Sequence, residues 1–293
     1  MNFSPATMNT IETALQIPGS SRLVDCIGRV FIIAYKESTQ LIEWALTQEG
    51  LPYEVLRQEN RAEFENFSPS YLCLMNHQRA WEQAVQESKP TLVVEADFVP
   101  VVGLGKLPLP FNPEQTNVGV SWLYTCAAQL YSVSSDGFAE GFSVSTVAYI
   151  VTPQGARSLL DLAREIKEKT GGTAYSAWDS TIDSYLRARN LKNYIPFRNY
   201  GEHGGLPNLE HQKNRPNSSK AHRADILYGQ LAFCPMYALG ERGDRLKLLS
   251  VRLQARLKGI ARLATGRFLR LKVLKNSSVP NRLLSFAIRR HLA

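Results

Sequence analysis

The stretch from Ser68 to Val99 constrains this 293-residue chain most, because it combines a helix start, a buried strand and two acids. Ser68 is a favourable N-cap, and Pro69 suits the first helical position, where a missing N–H costs nothing. Lys89-Pro90 ends the helix, and the β-branched run 91–94 is typical of a buried parallel strand. The sequence therefore predicts a helix that leads directly into a strand of a sheet.

Two carboxylates follow this strand. Glu95 and Asp97 are two residues apart, so both side chains project from the same side of an extended chain. In open α/β sheets the carboxyl ends of strands are where ligands bind. Neighbouring carboxylates repel each other unless a positive charge lies between them, and a hard divalent cation supplies that charge. The pair is compatible with a metal site, but an acid-x-acid pair is common, and from the spacing alone a strand that runs into a solvated turn with both acids exposed is the commoner case.

The first part of the chain predicts a strand-helix-strand unit, with strands at 29–35 and 52–56 and a helix at 37–49. No Gly-x-Gly-x-x-Gly motif follows Tyr35 and no Walker loop occurs anywhere, which disfavours a dinucleotide site and a P-loop kinase. Hydrophobic residues make up 44% of the chain, enough for a substantial core. Further predicted strands lie at 117–124, 129–134, 141–151 and 193–197, and further helices at 152–169 and 178–186. The fold class expected is α/β.

Two later segments carry candidate site residues. Asp179 and Asp183 are four residues apart in the predicted helix and are expected on one face, although Asp179 can also serve as a helix cap. Residues 198–208 are polar and rich in glycine, and they contain His203. A histidine between glycines can bring its imidazole close to a phosphate or a metal; the alternative is a surface histidine without a role.

The last 52 residues differ in charge from the rest. They hold fourteen Lys and Arg residues against one acid, Asp244, whereas residues 1–241 hold 20 bases and 25 acids. Leucines recur at intervals of three and four from Leu246 onwards, which predicts a basic amphipathic helix. An anionic membrane surface is the favoured partner. Docking on the rest of the chain is the second interpretation. Nucleic acid is the third and is not expected, since few aromatic residues interleave with the bases.

The four cysteines are widely spaced and form no metal-binding pair, which favours a reducing compartment. The first 25 residues lack the features of a signal peptide, and no run approaches the roughly 20 apolar residues of a membrane span. The sequence predicts a cytoplasmic protein that can lie against the inner face of the plasma membrane. Its expected organisation is a polar extension at 1–28, a catalytic domain at 29–240 and a basic helical tail at 241–293.

The segment 73–77 (Cys-Leu-Met-Asn-His), Trp81 and the strand 92–97 resemble glycosyltransferase family 25, which includes bacterial lipopolysaccharide and lipooligosaccharide sugar transferases. The usual pattern is a Ser-His helix, a Trp and a strand that ends Glu-Asp-Asp. Here Asn76 replaces the Ser and Ala96 replaces the middle acid. The strand around Tyr149 and the Gly-Ala and Leu-Leu pairs that follow it add to a resemblance that spans roughly residues 29–200.

The resemblance implies a GT-A-like fold, an open mixed sheet flanked by helices that binds a nucleotide sugar. It implies transfer of a hexose, with UDP-galactose the favoured donor, to a lipid-linked or lipopolysaccharide glycan, assisted by Mn²⁺ or Mg²⁺. The expected metal ligands are Glu95, Asp97 and His203. The expected donor contacts are Glu95, Asp97, His77, Arg198 and His203. The expected catalytic base is Asp183, with Asp179 as the second candidate. Ala96 favours the alternative, a non-catalytic sugar- or nucleotide-binding protein.

Overall fold

The computed structural model describes residues 21–206, 222–239 and 244–292. Eight strands form one mixed sheet in the order β2-β1-β3-β8-β5-β9-β7-β6, and β4 and β10 form a second, two-stranded sheet. The strands are β1 (Arg29–Ala34), β2 (Tyr53–Arg57), β3 (Thr91–Glu95), β4 (Phe98–Pro100), β5 (Val118–Trp122), β6 (Gln129–Val133), β7 (Ala139–Phe142), β8 (Ala148–Val151), β9 (Lys192–Ile195) and β10 (Gly201–His203). The α/β fold class predicted from the sequence is confirmed.

Helices flank the large sheet. They are Leu23–Cys26, Gln40–Gln48, Pro69–Ala84, Pro153–Thr170, Ile182–Arg187, Asp244–Ala264, Leu271–Asn276 and Pro280–Leu292, with 3₁₀ turns at Ala62–Phe64, Leu104–Lys106, Trp178–Thr181 and Met236–Ala238. The helix at 69–84 starts as predicted, because the Ser68 hydroxyl accepts a hydrogen bond from the Tyr71 N–H at 3.2 Å. None of these helices, within the ranges described, is both long and apolar enough to cross a bilayer.

Hydrophobic residues fill both faces of the sheet, because side chains alternate along each strand. On β1, Phe31 and Ile33 belong to the core under the helices 69–84 and 153–170. Val30 and Ile32 belong to the core on the opposite face. A strand buried on both sides has the continuous apolar run that the sequence shows there.

The order of the strands reverses beside β1. The chain passes from β1 through the helix 40–48 to β2, and then through the helix 69–84 back across β1 to β3. Both neighbours pair with β1 in parallel, so Ile33 lies opposite Leu56 on one side and Glu95 on the other. Such a reversal opens a crevice outside the carboxyl ends of the two strands. In this fold the carboxyl ends of β1 and β3 lead into residues 35–38 and 95–97, where such a crevice is expected.

Two sequence-based expectations about strands are corrected. The predicted strand 141–151 is divided into β7 and β8, with the buried Ser143 hydroxyl accepting from the Cys126 N–H at 2.9 Å between them. No strand was predicted at 98–100 or within 198–208, but these segments contribute β4 and β10, which pair antiparallel. That pairing joins segments about a hundred residues apart, so neither segment shows it by itself.

The C-terminal helices are part of the main body. Phe268, Leu283 and Phe286 lie in the same hydrophobic core as Trp81. Arg290 is fully buried and donates to the Asp225 carboxylate at 2.9 Å. The proposed extension at 1–28 lies mostly outside the described residues.

Candidate functional site

Glu95 and Asp97 stand at the crevice between β1 and β3. Glu95 is the last residue of β3, and the Ala96 N–H donates to the Ile33 carbonyl at 2.8 Å, which continues the β1–β3 pairing to the strand end. Asp97 follows in the turn that leads into β4. Because β8 runs antiparallel to β3, the residues that precede β8 come to the same edge of the sheet.

Two side chains hold Glu95 through one of its oxygens. Thr146, just before β8, donates its hydroxyl to Glu95 Oε1 at 2.8 Å. The buried His77, from the helix 69–84, places Nε2 at 3.3 Å from the same oxygen. Within the described chain both hydrogen bonds of the Glu95 carboxylate reach Oε1, and none reaches Oε2.

A buried chain of hydrogen bonds fixes the tautomer of His77. The Trp81 indole N–H can only donate, and it donates to the Tyr149 hydroxyl oxygen at 2.7 Å. The Tyr149 hydroxyl lies 2.9 Å from His77 Nδ1, and its single proton completes that contact. Because the Glu95 carboxylate can only accept, the 3.3 Å contact requires an N–H at His77 Nε2, which leaves Nδ1 to accept from the Tyr149 hydroxyl. The role of His77 in this arrangement is to position the carboxylate.

Asp97 forms a second pair, with a residue from a distant part of the chain. β10 pairs with β4 and brings His203 Nε2 to 3.0 Å from Asp97 Oδ2. Burial by itself would lower the pKa of His203, but the charge and hydrogen bond of Asp97, with the charge of Glu95, raise it. Burial would likewise raise the pKa of Asp97, and the charge and hydrogen bond of His203 bring it below its ordinary value. Both pKa shifts are those expected when a protonated His203 is paired with an ionised Asp97.

Glycines and an arginine hold this pair in place. A Cβ atom on Gly205 would lie 2.1 Å from Asp97 Oδ2, so only glycine allows the backbone to approach the carboxylate so closely. The Gly204 N–H donates to the Asp97 carbonyl at 2.8 Å. Arg223 donates to the carbonyls of His203 and Gly205. Three further basic residues of the sequence, Lys213, Arg215 and Lys220, lie outside the described residues.

The oxygens around Glu95 and Asp97 fit a hard divalent cation. Asp97 Oδ1 is buried and makes no hydrogen bond within the described chain, which is costly for a carboxylate oxygen unless a ligand meets it. Carboxylate oxygens are the donors that Mg²⁺ and Mn²⁺ prefer. Glu95 Oε2 and Asp97 Oδ1 are therefore the atoms available to hold such an ion.

Cys73 also lies beside this group, one helical turn before His77. Its sulfur and the ligand atoms of His77 and Glu95 lie within 4.8 Å of one another. Burial raises the pKa of the Cys73 thiol, and so do the negative charges of Glu95, Asp179, Asp97 and Glu37. The thiol therefore stays protonated at neutral pH.

The two candidate bases are separated by the structure. Residues 178–181 form a 3₁₀ turn, and the α-helix begins only at Ile182. We expected Asp179 and Asp183 on one face of a continuous helix, and this was wrong because the geometry changes between the two residues. Asp179 follows Trp178, whose ring centroid is 5.3 Å from that of His77. The negative charge of Asp179 is one of those that raise the pKa of the Cys73 thiol.

Asp183 points into a different, buried network. It accepts hydrogen bonds from Asn193 Nδ2 at 2.9 Å and from the Tyr131 hydroxyl at 3.0 Å. Burial raises the pKa of Asp183, although these two hydrogen bonds oppose the shift. The side chain joins the helix 182–187 to the strands β6 and β9.

Asn76 and Arg198 lie away from the two carboxylates. Asn76 is buried and donates through Nδ2 to the carbonyls of Ala34 and Leu56, which ties together the ends of β1 and β2. Arg198 lies beside the Phe197 ring and acts electrostatically on Tyr228 and Arg256. The structure therefore brings Glu95, Asp97, His77, His203 and Asp179 to one region and places Asp183 and Arg198 in others.

Sequence reasoning missed Thr146, Tyr149 and Trp178 as site residues. Tyr149 lies in an apolar strand and was used only as part of a family pattern. Thr146 lies in the break between two strands that were predicted as one. Trp178 resembles any core aromatic residue. Only the three-dimensional pairing of β3 with β8 shows that Thr146 and Tyr149 face Glu95 and His77.

Comparison with known proteins adds little to this site. No family model matches the sequence, and no curated protein matches it. Among solved structures, the fold is similar to the crystal structure of a glycosyltransferase involved in the glycosylation of the major capsid of PBCV-1. The two chains are 10% identical, with a TM-score of 0.38, over 57% of this chain and 80% of that chain. Family 25 remains a resemblance of motifs.

Proposed function

We propose that this chain is a glycosyltransferase with a GT-A-like fold that moves a hexose from a nucleotide-sugar donor to a glycan acceptor. The observation that carries the proposal is the placement of Glu95 and Asp97 at the strand-order reversal between β1 and β3, with His203 brought to Asp97 from more than a hundred residues away. Two carboxylates in a crevice of this kind suit a cation that in turn binds a diphosphate.

Glu95 Oε2 and Asp97 Oδ1 would hold Mn²⁺ or Mg²⁺. His203, predicted from the sequence as a third ligand, is paired through Nε2 with Asp97 Oδ2 and would instead position that carboxylate. When bound, the ion supplies positive charge that stabilises the departing diphosphate. The residues around it have separate tasks. His77 and Thr146 keep Glu95 Oε1 in place, so that Oε2 is turned to the ligand.

The end of β1 offers groups for the nucleotide. Tyr35 follows β1 directly and is 49% exposed, and Lys36 Nζ lies 4.9 Å from the centre of the Tyr35 ring. An exposed aromatic ring can stack on a nucleobase, and a lysine beside it can pair with phosphate. UDP and galactose are the base and sugar that the motif resemblance favours, and a lipid-linked or lipopolysaccharide glycan is the acceptor it favours.

Asp179 is the candidate base that we favour. A carboxylate that accepts the proton of the attacking acceptor hydroxyl must reach the reacting sugar. Asp179 adjoins the region of Glu95 and Asp97, whereas Asp183 already accepts hydrogen bonds from Tyr131 and Asn193 elsewhere. With Asp179 as base, attack from the face opposite the leaving group gives net inversion.

A panel of activated sugars tests the proposal, with release of UDP, GDP or CMP as the readout. We expect turnover of one donor class in the presence of Mn²⁺ or Mg²⁺, abolished in Asp97→Asn and reduced in Asp179→Asn far more than in Asp183→Asn. Asp136→Asn, at an exposed turn, is the matched control. Binding of a nucleotide sugar without turnover by any donor would instead support the non-catalytic binding protein that Ala96 favours.

A further inference from the structure

The helix Asp244–Ala264 is packed on the body by its arginine side. Arg252 Nη1 donates to the buried Glu202 carboxylate at 2.5 Å, and Arg262 Nη2 donates to the Ala128 carbonyl at 3.0 Å. Ala255 and Gly259 are buried between them, and a Cβ atom on Gly259 would lie 2.8 Å from Asp225 Cβ. Two arginines of this helix, Arg252 and Arg262, therefore hold it to the rest of the chain.

The leucines of this helix face outward. Leu246, Leu249, Leu253 and Leu257 are 74%, 66%, 59% and 57% exposed. Their spacing of three, four and four residues places them in one stripe along the helix, here called the leucine stripe. No side chain among the described residues covers this stripe. Scattered exposed leucines are ordinary, but a continuous row along three turns marks a surface that meets another apolar phase.

Positive charge borders the leucine stripe. Lys247 follows Leu246 and Lys258 follows Leu257, so both lysines lie about 100° further round the helix, on the same side of the stripe. Both are exposed, and nine Lys and Arg residues in all are exposed between 245 and 292. The single acid among residues 242–293 is Asp244.

We propose that the helix 244–264 lies flat on an anionic lipid bilayer, with the leucine stripe in the acyl boundary and the flanking lysines at the headgroups. An apolar row bordered by lysines is the pattern of interfacial helices, and anionic lipid attracts the surrounding bases. A second copy of this chain is a poor occupant, because the same positive charge would face itself. Nucleic acid is also a poor occupant, because a row of exposed leucines offers no favourable contact to phosphates.

The same helix is connected to the candidate site through one residue. Glu202 accepts from Arg252, and its other oxygen accepts from the His203 N–H at 3.0 Å and the Ala224 N–H at 2.9 Å. The strand that carries His203 is thus attached to the helix that carries the leucine stripe. Lipid binding therefore fixes the site near the surface from which a lipid-linked acceptor would come, although the docking itself does not rest on the proposed function.

Sedimentation of the full chain with vesicles tests the docking. We expect binding to vesicles of phosphatidylcholine and phosphatidylglycerol, weaker binding to phosphatidylcholine alone, and a loss of about tenfold or more in Leu249→Gln/Leu253→Gln. Lys247→Gln/Lys258→Gln should weaken binding chiefly at low salt. The control is Leu41→Gln/Trp44→Gln, which removes two exposed apolar side chains from another helix and should bind as the parent does.

Two results would overturn this inference: undiminished vesicle binding by Leu249→Gln/Leu253→Gln, or an equal loss in the control. A concentration-dependent dimer in light scattering that the leucine variant abolishes would assign the stripe to a second copy instead. Donor turnover with a soluble acceptor is measured in the same variants. Vesicle binding and donor turnover are thus measured independently, so a failure of the docking proposal can be told from a failure of the proposed function.

Discussion

Glu95 owes its position to side chains that are remote in sequence. His77 comes from the preceding helix, and Thr146 and Tyr149 come from the region of β8. Each group of this hydrogen-bonded network has a partner, so the removal of one group leaves buried polar atoms unpaired. Networks of this kind fix a geometry that no single contact would fix.

Tyr149→Phe should weaken both stability and ligand binding. The change leaves Trp81 Nε1 and His77 Nδ1 buried without the hydroxyl, which costs about 1–3 kcal/mol in the free energy of unfolding. It also frees the tautomer of His77, so Glu95 is less well oriented and metal-dependent UDP binding should weaken. Urea denaturation and titration calorimetry measure the two effects.

Tyr131→Phe is the matched control for that change. It removes the hydroxyl that donates to Asp183, outside the region of Glu95. A similar loss of stability with unchanged UDP binding is expected. Equal losses of binding in both variants would contradict the positioning role of His77.

The ion pair of Asp97 and His203 should make stability depend on pH in a defined direction. The folded-state pKa of His203 is raised, so its contribution is fully present below the unfolded value of about 6.5 and is lost as pH rises through the folded value. The pKa of Asp97 is lowered on folding, so its contribution to stability is lost only as the pH falls below the unfolded value of about 3.9. Asp97→Asn should therefore cost more stability at pH 6 than at pH 9.

Denaturant unfolding of the parent and of Asp97→Asn at both pH values measures this difference, and NMR titration gives the pKa of His203 directly. In Asp97→Asn that pKa should fall. A pH-independent difference in stability would show that His203 is not charged beside Asp97.

Individual site residues were predictable only where local sequence determines them. Glu95 and Asp97 follow an apolar strand, and that pattern alone placed them at a strand end. Their partner His203 could be proposed from its glycine-rich surroundings, but its contact with Asp97 depends on the pairing of β4 with β10. The choice between Asp179 and Asp183 turned on whether residues 178–182 form α-helix or a 3₁₀ turn, a difference that residue spacing does not reveal.

At the scale of elements, the helix 153–170 is fastened to β5 by a close contact between two glycines. A Cβ atom on Gly155 would lie 2.1 Å from the Gly119 carbonyl oxygen, and a backbone atom cannot give way as a flexible side chain can. The Thr152 hydroxyl accepts from the Gly155 N–H at 3.0 Å and begins the helix at this place. The Gly-Ala pair noted in the sequence thus has a packing reason.

Gly155→Ala should destabilise the protein although alanine is the better helix former. The clash should cost about 1–3 kcal/mol, more than the gain of about 1 kcal/mol from helix propensity. Gly229→Ala is the control, since nothing lies within 4 Å of its Cβ position. A midpoint of urea unfolding that stays unchanged in Gly155→Ala would contradict the close contact.

Elements with a strong local pattern were predicted well, and those that depend on distant partners were not. The first strand-helix-strand unit is confirmed in type and order, because its hydrophobic periods and its stop signals are local. The short strands β4 and β10 are stabilised by each other and were missed. The C-terminal helix was predicted, but which of its faces would pack could not be, since that depends on acids such as Glu202 elsewhere in the fold.

At the scale of the whole molecule, a buried ionic centre joins the C-terminal helices to the sheet. Arg290 donates to Asp225, to the Phe197 carbonyl at 2.8 Å and to the Thr125 hydroxyl at 3.2 Å. Asn199 donates to the same Asp225 carboxylate at 2.9 Å. These partners come from three separate regions, around residues 125, 197–199 and 225, so the charge of the last helix is an integral part of the folded body.

Arg290→Leu should lower the free energy of unfolding by about 3 kcal/mol, because it removes the guanidinium partner of the partly buried Asp225 carboxylate and leaves only His291, at 3.3 Å, beside it. Arg289→Leu, at the exposed neighbouring position, should change stability by less than about 0.5 kcal/mol. Thermal or urea unfolding of both variants measures the difference. Equal stabilities would mean that the C-terminal helices are not anchored through Asp225.

The central claim is that Glu95 and Asp97 hold a cation that binds the diphosphate of a nucleotide. Titration calorimetry of UDP with and without Mn²⁺, on the parent and on Asp97→Ala, tests it most directly, with Asp136→Ala as control. We expect UDP to bind only with Mn²⁺, to lose that binding in Asp97→Ala and to keep it in Asp136→Ala. UDP binding that ignores Mn²⁺, or that survives in Asp97→Ala, would contradict the account.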